Sequence, residues 1–318
     1  VTILLANGEV TKASKDENHD LFWAVRGAGH NFGVVTKFVL QAFDQGDVFA
    51  GMLAFPATPP FLEKVVAVVN DLFTGPKDGK GRTKLEGRAA GGLVFARPPD
   101  AGGQVFLAFA AIYDGTAEEE EMALKALYDI GPVVDTMKQV SYQVANQTLQ
   151  APHGYRVSMK DAVFSLPLRP EFVLEVLEKY TEFTNENAAS SPSVVIFELT
   201  DPYVMNTRAS NDDMSFANRG WHMNANISPY WIKPEHDAVS RQWARDLSAL
   251  FNRWFEKSGR GQRAGDYDTV LAYGNYDHYD FKGSGDVCGL NYPRLQKLKA
   301  QYDPGNLFNK QFSVKPKA

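Results

Sequence analysis

The apolar and polar positions of the first 45 residues predict short strands. Apolar residues at 1–5 are followed by Asn7-Gly8, a strong signal for a two-residue hairpin turn, and then by a second short run at 9–11. After the glycine-rich stretch 27–33, the run VVTKFVLQAF at 34–43 is rich in β-branched and aromatic residues. Residues 1–45 are therefore predicted to be strand-rich.

From residue 47 the pattern changes to longer strands and helices in alternation. The predicted strands are 47–56, 103–115, 193–199 and 219–231, and the predicted helices are 61–73, 116–127, 169–183 and 233–259. Thr116 and Glu119 have the spacing of a capping box. One helix carries a stripe predicted to lie in the core: Val239, Trp243, Leu247, Leu250 and Trp254. This order of elements predicts an α+β fold, an antiparallel sheet with helices on one face.

Composition and charge narrow the class of protein. A chain of 318 residues is long enough for about two domains at roughly 150 residues each. A net charge of -5 argues against nucleic-acid binding, because proteins that bind nucleic acids usually present a basic surface. No apolar run approaches the roughly 20 residues of a membrane span. The single cysteine, Cys288, is interpreted as a small buried apolar residue, and the six histidines lack metal-ligand spacing, so no metal site is predicted.

The glycine-rich stretch imitates a dinucleotide-binding loop but does not meet its requirements. Gly27, Gly29 and Gly33 are spaced one residue too far apart for the Rossmann fingerprint. That fingerprint must also open a helix, whereas a strand-forming run follows Gly33. The residues alone favour ordinary turn glycines, although such a loop can still bring backbone N–H groups close to an anionic ligand.

Two longer strings carry a resemblance to a known family. The segment DENHDLFWAVRGAGHNFGVVTKFVLQAF at 16–43 and the C-terminal strings YGNYDH and LNYPRLQKLKAQYDPGNLFNKQFSV, at 273–278 and 290–314, resemble flavin-linked oxidases of the vanillyl-alcohol oxidase type. The match is to their berberine-bridge-enzyme-like branch, abundant in plants and fungi. A weaker match lies in SFANRGWHMNANISPYW at 215–231, through Phe216, Arg219 and Trp231.

The resemblance implies a split flavin domain around an inserted substrate domain. Residues 1–45 and 266–318 are then expected to belong to the FAD-binding domain of PCMH type, and 46–265 to the substrate domain. The family's N-terminal portion, with its Arg-x-Gly-Gly-His loop and flavin-attaching cysteine, is expected upstream, because neither feature occurs in this sequence.

The resemblance also implies FAD as the cofactor and a set of residues that contact it. The family's C-terminal pattern Asn-Gln-[Ser/Asn]-Ile differs from Gln311-Phe312-Ser313-Val314 in this sequence, which leaves open that a flavin-contacting amide is displaced or absent. The candidate FAD contacts are Gly27, Gly29, Asn31, Gly33, Val34, Val35, Asn275, Asn291 and Gln311.

Two residues are predicted to be catalytic. By resemblance, Tyr276 of the Asn-Tyr dipeptide is the family's frequent base; its free pKa near 10 must be lowered, or the phenol coupled to another acceptor, for it to work near neutrality. Glu198 is the expected carboxylate helper. Alternatively, Tyr276 only packs against the flavin ring and Glu198 is an ordinary strand-edge carboxylate. The pocket candidates are Val194, Ile196, Tyr203, His222 and Asn224, with His222 open to a purely structural reading.

The predicted function is a flavin-dependent oxidase that passes a hydride from an alcohol or an activated C–H or N–H carbon to FAD, with O2 as acceptor. The aliphatic Val194 and Ile196 favour a small apolar or phenolic substrate. The alternatives are a non-catalytic fragment that binds substrate without flavin, and a subunit completed by a separate N-terminal chain. Two sequons, at Asn146 and Asn226, allow glycosylation, and secretion is expected from the family.

Overall fold

The computed structural model describes residues 1–76, 81–98, 102–147, 151, 153–208, 210–258, 272–276 and 283–317. The N-terminal hairpin forms as predicted, from β1 (Thr2–Leu4) and β2 (Val10–Lys12), with Gly8 in the left-handed region at φ 85°. Strand β3 (Val34–Lys37) pairs antiparallel with the other side of β1, so the order is β2-β1-β3. The prediction of a strand over 34–43 is wrong beyond Lys37: β1 offers partners only as far as Thr2, and Phe38, Val39, Leu40 and Phe43 are exposed.

The N-terminal segment also contains a helix that the strand-rich prediction missed. Helix α1 (His19–Ala28) buries Leu21, Trp23, Ala24 and Ala28, and a short 3-10 turn follows at Gly29–Asn31. The backbone leaves helical geometry at Arg26 and Gly27, within the glycine-rich stretch. Those glycines hid the helix, because glycine lowers helix propensity by roughly 1 kcal/mol relative to alanine.

Within the described residues, the large sheet is formed by eight strands, and every strand pair in it is antiparallel. Its strands are β4 (Val48–Pro56), β5 (Ala89–Ala96), β6 (Phe106–Tyr113), β7 (Val134–Asp135), β8 (Lys138–Val140), β10 (Lys160–Ser165), β11 (Val194–Leu199) and β12 (His222–Ser228). The order is β10-β12-β11-β5-β6-β4-β7, with β8 also paired to β4. Short strands β9 (Arg156–Val157) and β13 (Tyr230–Trp231) form a separate pair. The predicted α+β class is confirmed.

Helices cover one face of this sheet. They are α2 (Pro59–Phe73), α3 (Ala117–Tyr128), α5 (Pro170–Glu186) and α7 (Asp237–Lys257), while the short α4 (Tyr142–Ala145) and α6 (Tyr203–Arg208) lie in connections. The capping box of α3 is confirmed: Thr116 accepts from the Glu119 backbone, and the Glu119 carboxylate accepts from the Thr116 backbone. The stripe on α7 is wrong at its first position, since Val239 near the start of the helix is 44% exposed.

The alternation of side chains along β11 separates the two faces of the sheet. Val195, Phe197 and Leu199 are fully buried in the main core under the helices. Val194, Ile196 and Glu198 point to the opposite face, as the period of two requires. On that face the neighbouring strands β5 and β6 present mostly small residues, among them Ala108 and Ala110. A shallow floor of this kind leaves space above the sheet.

A second core joins the two ends of the chain. It combines side chains of β1 and α1 with those of α8 (Ser284–Cys288) and α9 (Tyr292–Tyr302). Cys288 is one of its buried members, and burial raises the pKa of its thiol to about 11. This core is separate from the one under the large sheet. The boundaries at 45/46 and 265/266 stay a prediction, and the second falls outside the described residues.

Within the described ranges, none of the helices combines the length and apolar character needed to cross a bilayer. Those same ranges contain no group of three or more His, Cys, Asp or Glu side chains arranged to hold a metal ion.

Candidate active site

The site is a cavity of about 690 Å³ on the face of the sheet opposite the helices. This volume lies in the range that holds a drug-sized molecule. Its lining is mostly aliphatic: Met52, Ala90, Gly91, Gly92, Val94, Ala110, Ala111, Ile112, Ala145, Ala151, Met159, Val194 and Ile196. The polar lining residues are Asn146, Glu198, Asn226, Ser228, Tyr230 and Tyr276. Of the described residues that line the cavity, only Glu198 carries a formal charge.

Glu198 and Tyr276 meet at this cavity although 78 positions separate them in sequence. The Tyr276 hydroxyl donates to Glu198 Oε1 at 2.5 Å. Glu198 is held by β11, and Tyr276 lies in a 3-10 turn, Gly274–Tyr276, whose preceding backbone N–H at Tyr273 donates to Asp161 Oδ2 at 3.1 Å. The Tyr273 ring packs edge-on against Tyr276 with centroids 5.0 Å apart. The two predicted catalytic side chains therefore form one hydrogen-bonded pair.

The Glu198 carboxylate accepts the hydrogen bond of this pair, and the pKa values of both side chains are raised. Burial raises the pKa of Tyr276, and the Glu198 carboxylate that accepts its hydrogen bond raises that pKa further. Burial also raises the pKa of Glu198, against the opposing effect of the Tyr276 hydrogen bond. A lowered phenol pKa, one of the two possibilities given by the sequence, is wrong. The other possibility, coupling to an acceptor, is the geometry observed.

A chain of contacts connects the N-terminal glycine-rich stretch to Tyr276. Asn31 is fully buried, and its Oδ1 accepts from the Val314 backbone at 2.8 Å while its Nδ2 donates to the Phe312 carbonyl at 3.4 Å. Phe312 packs against Gly274, where an added Cβ would come within 3.0 Å of its ring. Gln311 and Phe312 both have positive φ, at 45° and 47°. Left-handed backbone at non-glycine residues is costly and concentrates at functional sites.

Several of the candidate FAD contacts have structural partners within the chain. A Cβ on Gly27 would lie 2.2 Å from the Phe216 backbone nitrogen, and one on Gly33 would lie 2.3 Å from the Leu4 carbonyl. Asn291 is buried and donates to the Ser215 carbonyl at 3.1 Å. These three residues thus serve close packing of the chain on itself, a role that the sequence reasoning did not assign to them.

The remaining candidate FAD contacts lie at the surface or beside Tyr276. Gly29 begins the 3-10 turn after α1, and Val34 and Val35 belong to β3, with Val34 the more exposed. Asn275 precedes Tyr276 and donates to the Tyr273 hydroxyl at 2.9 Å.

Two of the five pocket candidates line the cavity and three do not. Val194 and Ile196 form part of its floor. Tyr203 lies in α6, where the Arg82 guanidinium stacks over its ring. His222 is buried with its ring edge-on to Phe255, and Asn224 donates to Asn218 Oδ1 at 3.3 Å. His222 and Asn224 lie outside the lining because the cavity extends along the other end of β12.

Sequence reasoning missed the polar residues at that other end. Asn226 and Ser228 line the cavity beside Ile196 and Val194, their partners across the β11–β12 ladder. The signal was present in HMNANIS, because the period of two puts 222, 224, 226 and 228 on one face. Asn226 is 6% exposed, so its sequon is inaccessible in the folded chain, whereas Asn146 at the end of α4 is exposed.

Comparison with known proteins finds sequence similarity to FAD-linked oxidoreductases. Residues 272–315 match the family model for "Berberine and berberine like" proteins. The chain is 29% identical over 330 residues to FAD-linked oxidoreductase pgmH of Aspergillus terreus, covering 99% of this chain and 63% of that protein. It therefore spans just under two thirds of the length of such relatives.

Solved structures show the fold. Physcomitrella patens BBE-like 1 aligns with a TM-score of 0.75 at 17% identity, covering 100% of this chain and 65% of that one. 6-Hydroxy-D-nicotine oxidase from Arthrobacter nicotinovorans aligns with a TM-score of 0.72 at 20% identity, covering 99% and 65%. The chain therefore has the fold of the matching portions of these two proteins. In sequence, the chain is similar to berberine and berberine-like proteins over residues 272–315 and to FAD-linked oxidoreductases over 99% of its length.

Proposed function

We propose that this chain supplies the substrate cavity and the acid–base pair of an FAD-dependent oxidase. Its substrate is a small apolar or phenolic molecule with an alcohol or an activated C–H or N–H carbon, and O2 is the final electron acceptor. The observation that carries the proposal is the Tyr276–Glu198 hydrogen bond of 2.5 Å at the wall of an aliphatic cavity.

The residues around Tyr276 fit a flavin. The polar groups nearest Tyr276 in the cavity are one acid–base pair, Tyr276 and Glu198, beside an apolar floor of small side chains. This arrangement suits a flavin-dependent oxidation in which the protein removes one proton from the substrate. The left-handed Gln311 and Phe312, held by Asn31, bring the C-terminal segment beside the turn that carries Tyr276. Gly29, Val34, Asn275 and Gln311 are the residues we expect to contact FAD. When bound, FAD supplies the acceptor for the hydride that leaves the substrate carbon.

The protein residues handle the proton. A substrate hydroxyl hydrogen-bonds to the Tyr276 oxygen, and as the carbon is oxidised its proton passes to that oxygen while the Tyr276 proton passes to Glu198. The phenol is neutral before and after, so its raised pKa is no obstacle. Glu198 ends protonated, which its raised pKa favours. The cavity floor beside this transfer is aliphatic.

Transient kinetics of flavin reduction under anaerobic conditions test the proposal. In the complete FAD-loaded protein, Tyr276→Phe and Glu198→Gln are each expected to slow flavin reduction by about 10²–10⁴-fold. Tyr203→Phe is the matched control, because Tyr203 lies outside the cavity lining. In the unsubstituted protein, the rate should rise with pH as Glu198 ionises, and Glu198→Gln should lose this dependence. Unchanged rates in both variants, or a protein that takes up no FAD, would refute the proposal and favour the non-catalytic alternative.

A further inference from the structure

A second polar group lies in the cavity, away from Tyr276 and Glu198. It consists of Asn226 and Ser228 on β12 and Tyr230 on β13, all at most 8% exposed and all lining the cavity. Ser228 Oγ donates to Asn226 Oδ1 at 2.6 Å. Across the part of the chain that the structure describes, Asn226 Nδ2 has no hydrogen-bond partner. Because Asn226 lines the cavity, an amide donor that has no acceptor in the protein is available to an acceptor on a ligand.

The strand register fixes how far this group lies from the acid–base pair. Asn226 is opposite Ile196 and Ser228 is opposite Val194, whereas Glu198 lies further along β11 on the same face. At roughly 3.3 Å per residue, Asn226 and Ser228 are offset from Glu198 by about 7 and 13 Å along the strand. The aliphatic floor between them is Val194, Ile196 and the small residues of β5 and β6.

The charge of the cavity lining limits which ligands can reach from Glu198 to Asn226. Glu198 is the one charged residue among the described lining residues, and it already accepts the Tyr276 hydrogen bond. A ligand anion there would find no cation and would face a carboxylate. An unpaired charge buried on an aliphatic surface is strongly disfavoured.

We infer that Asn226, supported by Ser228, is a specificity-determining residue that binds an uncharged oxygen acceptor at the far end of the substrate. This inference rests on the proposed function and deepens it. The substrate class is a neutral, elongated, mainly aromatic or aliphatic molecule about two rings long. It carries the oxidised group at one end and a hydroxyl, ether or carbonyl oxygen at the other.

Equilibrium binding to the FAD-loaded protein, measured by titration calorimetry without O2, tests the inference. The probes are three biphenylmethanols whose second ring carries a hydroxyl, a carboxylate or only hydrogen at the para position. The hydroxyl probe is expected to bind about 3- to 10-fold more tightly than the hydrogen probe, the effect of one net hydrogen bond. The carboxylate probe is expected to bind at least about 10-fold more weakly than the hydroxyl probe.

Substitutions then assign the preference to the residues. Asn226→Leu keeps the side-chain size and should reduce the hydroxyl preference to about one. Ser228→Ala should reduce it in part, and Thr184→Val, a hydroxyl deletion in α5 outside the cavity, should leave it intact. If Asn226→Leu fails to fold, Asn226→Ser, whose side chain is too short to reach, takes its place.

The outcomes separate this inference from the proposed function. A hydroxyl preference that is absent, or that survives loss of the Asn226 amide, overturns the inference, as does a carboxylate probe that binds as tightly as the hydroxyl probe. Flavin reduction by the same probes is recorded separately. A preference that depends on Asn226 with no flavin reduction by any probe supports the inference and counts only against the proposed oxidase.

Discussion

The buried ion pair between Lys299 and Asp303 offers the sharpest test of how the two ends of the chain hold together. Lys299 is 0% exposed, and its ammonium donates to Asp303 Oδ2 at 2.6 Å, to the Asn31 carbonyl at 2.6 Å and to the Phe308 carbonyl at 2.7 Å. The three donors of a lysine are thereby all used. One ammonium group links α9, the glycine-rich stretch and the C-terminal segment.

Asp303 is equally well satisfied. Its carboxylate accepts from Lys299 and from the backbone of Leu307 and Phe308, at 2.8 and 2.9 Å. Burial alone acts to raise the pKa of Asp303, but these hydrogen bonds outweigh it and hold the pKa below its usual value. Removing the ammonium would leave a buried carboxylate without its counter-ion.

Lys299→Met is therefore expected to lower the free energy of unfolding by about 3–5 kcal/mol. Adding Asp303→Asn should recover at least about 1 kcal/mol of that loss, because the amide oxygen still accepts from the Leu307 backbone while no charge stays buried. Urea unfolding followed by circular dichroism measures both values. The matched control is Lys297→Met, an exposed position of the same helix, with an expected effect within about 0.5 kcal/mol.

A loss below about 1 kcal/mol for Lys299→Met would contradict this expectation, because removing one partner of a buried ion pair leaves an uncompensated charge. A double variant less stable than Lys299→Met alone would also contradict it. Either result would mean that water reaches the pair.

Two further predictions concern pH dependence and packing. Glu120 is buried, and burial raises the pKa of its carboxyl despite the Tyr128 hydrogen bond, so the folded chain binds its proton more tightly than the unfolded chain. The stabilisation from the protonated carboxyl is present below the unfolded pKa of about 4.3 and is lost as pH rises through the raised folded-state pKa. In urea unfolding, Glu120→Gln should be more stable than the unsubstituted chain at pH 7, and its stability should depend less on pH. An equal loss of stability with rising pH in both proteins would contradict this. Gly27→Ala should lower the free energy of unfolding by about 1–3 kcal/mol, measured by thermal unfolding, because the added Cβ would lie 2.2 Å from the Phe216 backbone nitrogen. Gly29→Ala, whose added Cβ would have its nearest atom at 3.5 Å, should be nearly neutral. Similar losses for the two variants would show that close packing is not what requires glycine at position 27.

Much of the fold could be predicted because periodicity reports burial directly. Strands β4, β6 and β11 and helices α2, α3 and α5 lie where the pattern predicted them. Two predictions about the N-terminal segment were wrong, each for an identifiable reason. Helix α1 was hidden by glycines that serve close packing, and the strand after Gly33 ends when β1 offers no further partners. The run 38–43 looks like a strand because its residues have high β-propensity, but propensity cannot supply a partner.

The candidate catalytic side chains are readable from the residues alone, and the alternation along β11 puts Glu198 on the face away from the core. Long-range packing places the Tyr276 hydroxyl, 78 positions later, 2.5 Å from that carboxylate, and extends the cavity toward Asn226 rather than toward His222. The physical reason is that side-chain alternation is a local property of a strand, readable from its own residues. Which residues face one another across a cavity depends on strand order, register and loop placement, which are settled by long-range packing.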